Sequence, residues 1–392
     1  MREGAPHLGA YFVSRRCFSH FYSRDADANM ATDRATVLQR YLDLEQPDDA
    51  VFCTYVFVDG TLEKTRSKTK TLEFEPKRAE DCPEWTFCAK LSYQWPDAGP
   101  ESEAYLSPVA LFRDPFLKGR NKLVLCEVLQ HDRTPIKSNT RRSCLDAMQK
   151  ANDLEPWFGI EQEYVITEKD GHPLGWPRDA THTIKPLGPY CYGVGADAVS
   201  GRYVSDAHYK ACTYAGVKMA GTNSEGVLSQ WEYQVGPLEG ISAADHLWMS
   251  RYILDRVAED FGVLATLDPM PYPPGKWLGS AAHTNFSTKA MRSEGGICVI
   301  REAIEKLKRN ADADLAKYDT ATVKRNKLRM EALMLATPRN QFTADDCSKE
   351  ASVRIPRNVV DAGKGYFEDR RPGSNADPYT VCETLVRTIC LE

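Results

Sequence analysis

The chain has 392 residues, 42% of them hydrophobic and 27% charged, with a net charge of −5. That balance suits a soluble globular protein of one large or two modest domains, and it argues against a nucleic-acid binder, which needs a basic excess to neutralise phosphates. No apolar run reaches the roughly 18–20 residues of a membrane span, and the 12 cysteines include no Cys-x-x-Cys pair, so they read as reduced intracellular thiols rather than a zinc ribbon or a redox dithiol.

Residues 1–24 carry Arg2, Arg15, Arg16 and Arg24 against one acid, Glu3, together with Ser14, Ser19 and Ser23. Such a leader predicts a mitochondrial transit peptide, cut near Arg16-Cys17-Phe18-Ser19, and a matrix location. The alternative is an extension ahead of an internal start at Met30, in a cytoplasmic protein. Leu38, Tyr41 and Leu42 are spaced for a short amphipathic helix over 34–44. Thr54–Val58 predicts a strand stopped by the turn pair Asp59-Gly60, and residues 61–135 alternate strand-like runs with Pro/Gly breaks. From about residue 136 strands and helices alternate, so the larger part of the chain is α+β. Over 243–261, Ala243, Leu247, Ser250, Leu254, Val257 and Phe261 share one helix face, with Ser242 and Asp245 as a capping-box variant and Gly262 as the stop. Ile300, Ala303, Ile304 and Leu307 mark a second helix over 299–310.

Four segments place acids among apolar residues. Phe158–Val165 predicts a strand on which Glu161 and Glu163 share one face and Ile160, Gln162 and Tyr164 the other. Two acids there are costly to bury unless paired or metal-bound; alternatively, they face solvent on an edge strand. Glu225 and Glu232 form a second acidic pair, with Trp231, Tyr233 and Val235 on the face opposite Glu232 and Gln234. His283 sits in a polar strand or loop, where a structural role is equally open. Phe367–Pro372 sets Glu368 and Asp369 beside Arg370 and Arg371, which also suits a surface ion-pair cluster. Taken together, five glutamates and one imidazole are a donor set for hard divalent cations, and two such ions beside arginines suit phosphoryl transfer from ATP.

In order, Trp157–Tyr164, Gly171-His172-Pro173, Gly175-Trp176-Pro177, Gly193–Asp197, Ala220–Asn223, Trp231-Glu232, His283–Lys289, Arg354–Arg357 and Phe367–Pro372 resemble the motifs of the eukaryotic glutamine synthetase family, from about residue 35 onward. The resemblance implies an α+β fold: a β-grasp N-terminal domain over 30–132 and, over 133–392, a catalytic domain whose curved antiparallel sheet makes a half-barrel with flanking helices. It implies ATP-dependent ligation of ammonia to glutamate through γ-glutamyl phosphate. It implies active sites between neighbouring subunits in a homo-oligomer, a decamer of two pentameric rings, or a mixed ring with an active paralogue. Two or more Mg²⁺ or Mn²⁺ ions are implied, one held by Glu163, Glu225 and Glu232 and another by Glu161, His283 and Glu368. Trp157, Ser287, Arg292, Arg354 and Arg370 match nucleotide or phosphate positions, and Arg329 matches the arginine that grips the glutamate carboxylate, a bidentate role.

The chain departs from the family around the ammonium site. Cys88 stands for an aspartate, with Lys90 nearby. Cys191 stands for a tyrosine and Leu335 for the flap glutamate; separately, Leu278 stands for a loop asparagine. Loss of two carboxylates from a cation pocket predicts impaired glutamine synthesis. It leaves open a catalytically inactive ring subunit or a ligase that uses another amine, since Met334 and Leu335 suit an apolar one.

Overall fold

A computed structural model describes residues 36–95, 102–179, 184–272, 277–319, 325–331 and 341–392. The leader, with Arg16–Ser19, and Met334 and Leu335 lie outside the described residues. The chain divides into two compact units, Met1–Ala50 and Val51–Glu392. In the first, helix α1 covers 36–42, and Leu38, Tyr41 and Leu42 on it are exposed.

The second unit opens with a five-stranded sheet made from β1 (Val51–Val58), β2 (Thr65–Leu72), β3 (Trp85–Cys88), β4 (Glu103–Arg113) and β5 (Lys122–Leu129), in the order β2-β1-β5-β4-β3. β1 and β5 pair in parallel at its centre. Both are covered on two faces, which is why they read as mostly apolar runs, interrupted by Thr54, Lys122 and Glu127. β2 lies at the edge and alternates Arg66, Lys68 and Lys70 with smaller polar residues, a composition that discourages further strand pairing.

After α2 (Thr140–Lys150) comes β6 (Trp157–Thr167), then α3 (Arg202–Ala215), β7 (Met219–Ser224), β8 (Gln230–Glu239), α4 (Ser242–Asp260), β9 (Leu264–Thr266) and β10 (Ala282–Ser287). The chain continues through α5 (Lys289–Arg292), α6 (Gly296–Arg309), α7 (Ala311–Tyr318), α8 (Arg325–Glu331), β11 (Ala344–Asp346), β12 (Val353–Ile355), α9 (Arg357–Ala362), β13 (Phe367–Asp369) and α10 (Pro378–Val386). The eight strands curl into a half-barrel, ordered β11-β12-β13-β10-β6-β8-β7 with β9 added to β6. Pairing is antiparallel except between β11 and β12. β6 is central, held by β10 on one side and β8 on the other. Its acids therefore cannot be a solvent-facing pair on an edge strand.

One face of β6 and β8 carries the core: Phe158, Ile160, Tyr164, Trp231, Tyr233 and Val235 are all buried. α4 lies among the elements that close this core, with Leu247, Trp248, Ile253 and Leu254 buried. Gln162 points to the same side, and its Oε1 accepts from Arg251 Nε at 2.9 Å and Nη2 at 2.6 Å. The same guanidinium donates to the carbonyls of Ser374 and Ala376 at 3.0 Å. Burial pushes the Arg251 pKa down to about 10.

The start of α4 departs from the predicted capping box. Ile241 is the N-cap, with no side-chain cap, and Ser242 is already helical. Asp245 turns inward instead. It takes Arg141 in a two-pronged pair at 2.8 and 2.9 Å and the Tyr379 hydroxyl at 2.6 Å, a set of bonds a helix cap cannot match. Phe261, placed on the buried stripe by periodicity, is the C-cap and about half exposed, because the helix has ended where its ring leaves the face. Asp245→Ala should cost about 3–5 kcal/mol in equilibrium urea unfolding, since it strands a buried guanidinium. Ser242→Ala should stay within about 0.5 kcal/mol, as expected away from any cap. A larger loss at Ser242 would restore the capping role.

Candidate active site

Strand register builds the site. On the face of β6 opposite the core, Glu163 lies directly across from Glu232 on β8, and Glu161 directly across from His283 on β10. One strand further, Glu368 on β13 pairs with Asn285 on β10 and with Arg354 on β12. Glu225 enters from the loop after β7. The oxygens of Glu163, Glu225 and Glu232 lie within 4.8 Å of one another, and so do the ligand atoms of Glu161, His283 and Glu368. The six predicted ligands thus form two adjacent triads. His283 Nδ1 is 3.5 Å from Glu161 Oε2, 3.6 Å from Glu368 Oε1 and 3.9 Å from Glu163 Oε1.

These groups are crowded and mostly dry. Burial, then the neighbouring Glu225 charge, pushes the Glu163 carboxyl up to about 8. Burial, then Glu161, Glu163 and Glu225, pushes Glu232 up to about 10. His283 goes the other way: burial, then Arg370, holds it well below its usual range, so its contacts with the carboxylates are those of a neutral imidazole and not ion pairs. A neutral imidazole keeps a lone pair for a metal. Carboxyls that keep protons because burial and crowding outweigh the cations nearby mark a place that a bound metal ion would relieve. The donor set, carboxylate oxygens with one imidazole, fits Mg²⁺ or Mn²⁺.

Amides hold the carboxylates in place. Asn285 Nδ2 donates to Glu161 Oε1 at 2.9 Å and Asn223 Nδ2 to Glu225 Oε1 at 2.9 Å. Glu163 Oε2 accepts the Ala281 backbone N–H at 2.9 Å and Gln230 Nε2 at 3.3 Å, and Gln234 bonds Glu232. Sequence reasoning missed Asn223, Asn285 and Gln230. Asn285 was within reach of it, since strand alternation puts it on the His283 face.

The arginines line the same cavity, about 410 Å³ in volume. Arg354 and Arg370 each grip one oxygen of Glu368, which is fully buried, so the Phe367–Pro372 segment is an interior cluster and not a surface one. Arg329 is fixed from behind by Asn326 Oδ1 at 2.8 Å and the Arg371 carbonyl at 2.8 Å. Burial lowers its pKa to about 10, which leaves it charged at neutral pH. A second, mainly apolar cavity of about 420 Å³ collects Trp157, Ser287 and Arg292. Arg292 lies 4.1 Å over the Trp157 ring and donates to Ser287 Oγ at 3.0 Å. Glu161 and Gln234 line both cavities, which therefore adjoin.

The departures do not gather at one place. Cys191 and Leu278 line the first cavity. Cys88 is exposed at the end of β3, outside the lining of this cavity in its own chain. Its Sγ is 3.5 Å from Ser102 Oγ, and that hydrogen bond, ahead of smaller contributions from backbone N–H groups and Lys90, lowers its pKa.

Residues 139–297 match the family model described as glutamine synthetase, catalytic domain. Glutamine synthetase 2 cytoplasmic of Drosophila melanogaster is 48% identical over 366 residues, 93% of this chain and 98% of that protein. Human glutamine synthetase is 49% identical over 355 residues, 91% of this chain and 94% of that one. Among solved structures, one described as apo GmaS without ligand aligns with a TM-score of 0.68 at 22% identity, over 91% of this chain and 80% of that one, a likeness of fold. Among the described residues, no helix is long and apolar enough to cross a membrane.

The raised carboxyls set a pH dependence. Glu163 and Glu232 keep protons in the fold that the unfolded chain loses above about pH 4.5. Their contribution to stability is therefore lost as pH rises through about 8 and about 10. His283 acts oppositely, losing its contribution below its ordinary 6.5, so above pH 7 the carboxyls dominate at this site. The metal-free Tm should fall between pH 7 and 9.5. Mg²⁺ should raise Tm more at pH 8.5 than at pH 6, its full stabilisation being about 2.7 kcal/mol where it stands at a hundredfold excess over Kd. Glu232→Gln should flatten the pH slope. Equal Mg²⁺ effects at both pH values would refute the cation reading of the two triads.

Proposed function

The chain belongs to the glutamine synthetase family, and from that premise we propose that it uses ATP to phosphorylate the side-chain carboxylate of glutamate, while amidation by ammonia is impaired. The observation that carries this reading is the pair of adjacent triads at the junction of two cavities. Glu163, Glu225 and Glu232 would hold one Mg²⁺ or Mn²⁺ ion and Glu161, His283 and Glu368 another. When bound, the ions supply Lewis-acid charge to phosphate oxygens.

The chain's own groups do the rest. Trp157, Ser287 and Arg292 offer an aromatic face, a hydroxyl and a cation to the nucleotide. Arg354 and Arg370, already turned toward Glu368, put two guanidinium charges beside the transferring phosphoryl group, where negative charge is spread over three oxygens. Arg329, held rigid by its neighbours through Nε and Nη2, keeps Nη1 to meet a glutamate carboxylate. A carboxylate oxygen of glutamate forms the new O–P bond as the bond to ADP breaks. In a ring of the kind the family resemblance implies, Cys88 of one copy would face the site of a neighbour.

Ammonia is the weak step. Cys191 and Leu278 bring a thiol and methyl groups to the cavity where a cation needs oxygen. With ATP, glutamate and Mg²⁺, hydroxylamine should trap the acyl phosphate as γ-glutamyl hydroxamate. Glutamine formation from ammonium should run about 10²–10⁴-fold below the rate of a complete family site, the usual cost of losing a general base. Glu161→Gln should abolish both products. Glutamine made at the full rate would defeat the impairment, and Mg-ATP binding without any hydroxamate would point to a structural ring subunit.

A further inference from the structure

The nucleotide end of the site is braced from outside its cavity. A short 3₁₀ turn, Asn152–Leu154, ends on Glu155, which sits two residues before Trp157 with φ 47° and ψ 64°. A residue with a Cβ adopts that left-handed conformation rarely. Both acceptors of Glu155 reach the same guanidinium: Arg292 Nη2 donates to its carbonyl at 3.0 Å and lies 3.5 Å from its carboxylate Oε2. Lys289, on the same short helix α5 as Arg292, donates to the other carboxylate oxygen at 2.7 Å. Neither Glu155 nor Lys289 lines the second cavity, whereas Arg292 and Trp157 do.

Arg292 is held at its other end as well. Nη1 donates to the Ser287 carbonyl at 3.2 Å and to Ser287 Oγ at 3.0 Å. Its central carbon lies 4.1 Å from the centre of the Trp157 ring. The indole is fixed in turn, since its Nε1 donates at 3.2 Å to Glu239, the residue opposite it on β8. A guanidinium meets phosphate through its N–H edge and an aromatic ring through its face. With both terminal nitrogens engaged, the face is what Arg292 has left to offer, in a cavity whose lining is mainly apolar.

We infer that Glu155 is a positioning residue for the nucleotide: it holds Arg292 over Trp157, so that the guanidinium serves the aromatic base rather than the phosphates. This rests on the nucleotide reading above. Arg354 and Arg370 remain the cations for the phosphoryl groups. A cradle fixed before the ligand arrives spares the cost of ordering its side chains on binding. Two effects of Glu155 oppose each other and can be told apart. As a bare negative charge it would repel a triphosphate, so its removal would tighten phosphate binding. As a brace it favours the base, so its removal loosens adenosine, which carries no phosphate.

The test uses the full chain with Mg²⁺, titrated by calorimetry with ATP, adenosine and inorganic tripolyphosphate as separate probes. Glu155→Asn keeps the left-handed turn, which asparagine adopts readily, and withdraws the carboxylate. Adenosine and ATP should bind about 3–5-fold more weakly, the worth of one partly exposed ion pair, and tripolyphosphate should not weaken. In hydroxamate formation KM for ATP should rise by the same factor with kcat unmoved. In an Arg292→Met background, Glu155→Asn should change adenosine affinity by less than about 2-fold, because the residue acts through that guanidinium. Tighter ATP and tripolyphosphate with adenosine unchanged would reduce Glu155 to a surface charge and overturn the positioning role. An equal loss of adenosine affinity with and without Arg292, or no change with any probe, would overturn it too. Wild-type protein that binds neither ATP nor adenosine would sink the nucleotide reading itself, and this inference with it.

Discussion

Glu163 and Glu232 face each other directly across two central antiparallel strands, both buried. Like charges so placed oppose the pairing that brings them together. The core on the other face of the same strands enforces the register: a slip of one residue would take Trp231, Tyr233, Ile160 and Tyr164 off the core face and turn Glu161, Glu163 and Glu232 into it. Apolar burial on one side of the sheet thus holds a charge arrangement on the other that would not form alone. Burial first, and neighbouring carboxylates after it, keep protons on Glu163 and Glu232.

The support behind the acids is polar as well. Gln162 lies between the two β6 glutamates and faces away from them, tied to Arg251. Arg251 is itself buried against the carbonyls of Ser374 and Ala376, so one guanidinium joins α4, the central strand and the segment after β13. Because each partner is inside the protein, breaking one contact leaves the others without water to replace it. The six ligand side chains come from four strands and a loop, and this layer restricts their relative movement.

The two ends of the first cavity differ in character. Around Glu368 are Arg354, Arg370 and Arg329, a field suited to carboxylate and phosphate. Beyond Glu225 the wall turns to Leu187, Leu278, Cys191 and Tyr192.

Much of this was legible in the chain itself. Alternation along Phe158–Val165 and Gln230–Val235 separates acids from core, and the ordered motifs point to a family fold, because both signals are local and survive translation into one dimension. The six residues of the two triads were readable for the same reason. Three things were not. That β6 is central, that Asp245 serves Arg141 and Tyr379 instead of a helix end, and that the Phe367–Pro372 segment lies inside the protein all depend on partners far apart in sequence. Residue types determine which face of an element avoids water; only the folded packing decides which distant groups meet on the face that remains, since that follows from strand order and register rather than from any single segment's preference.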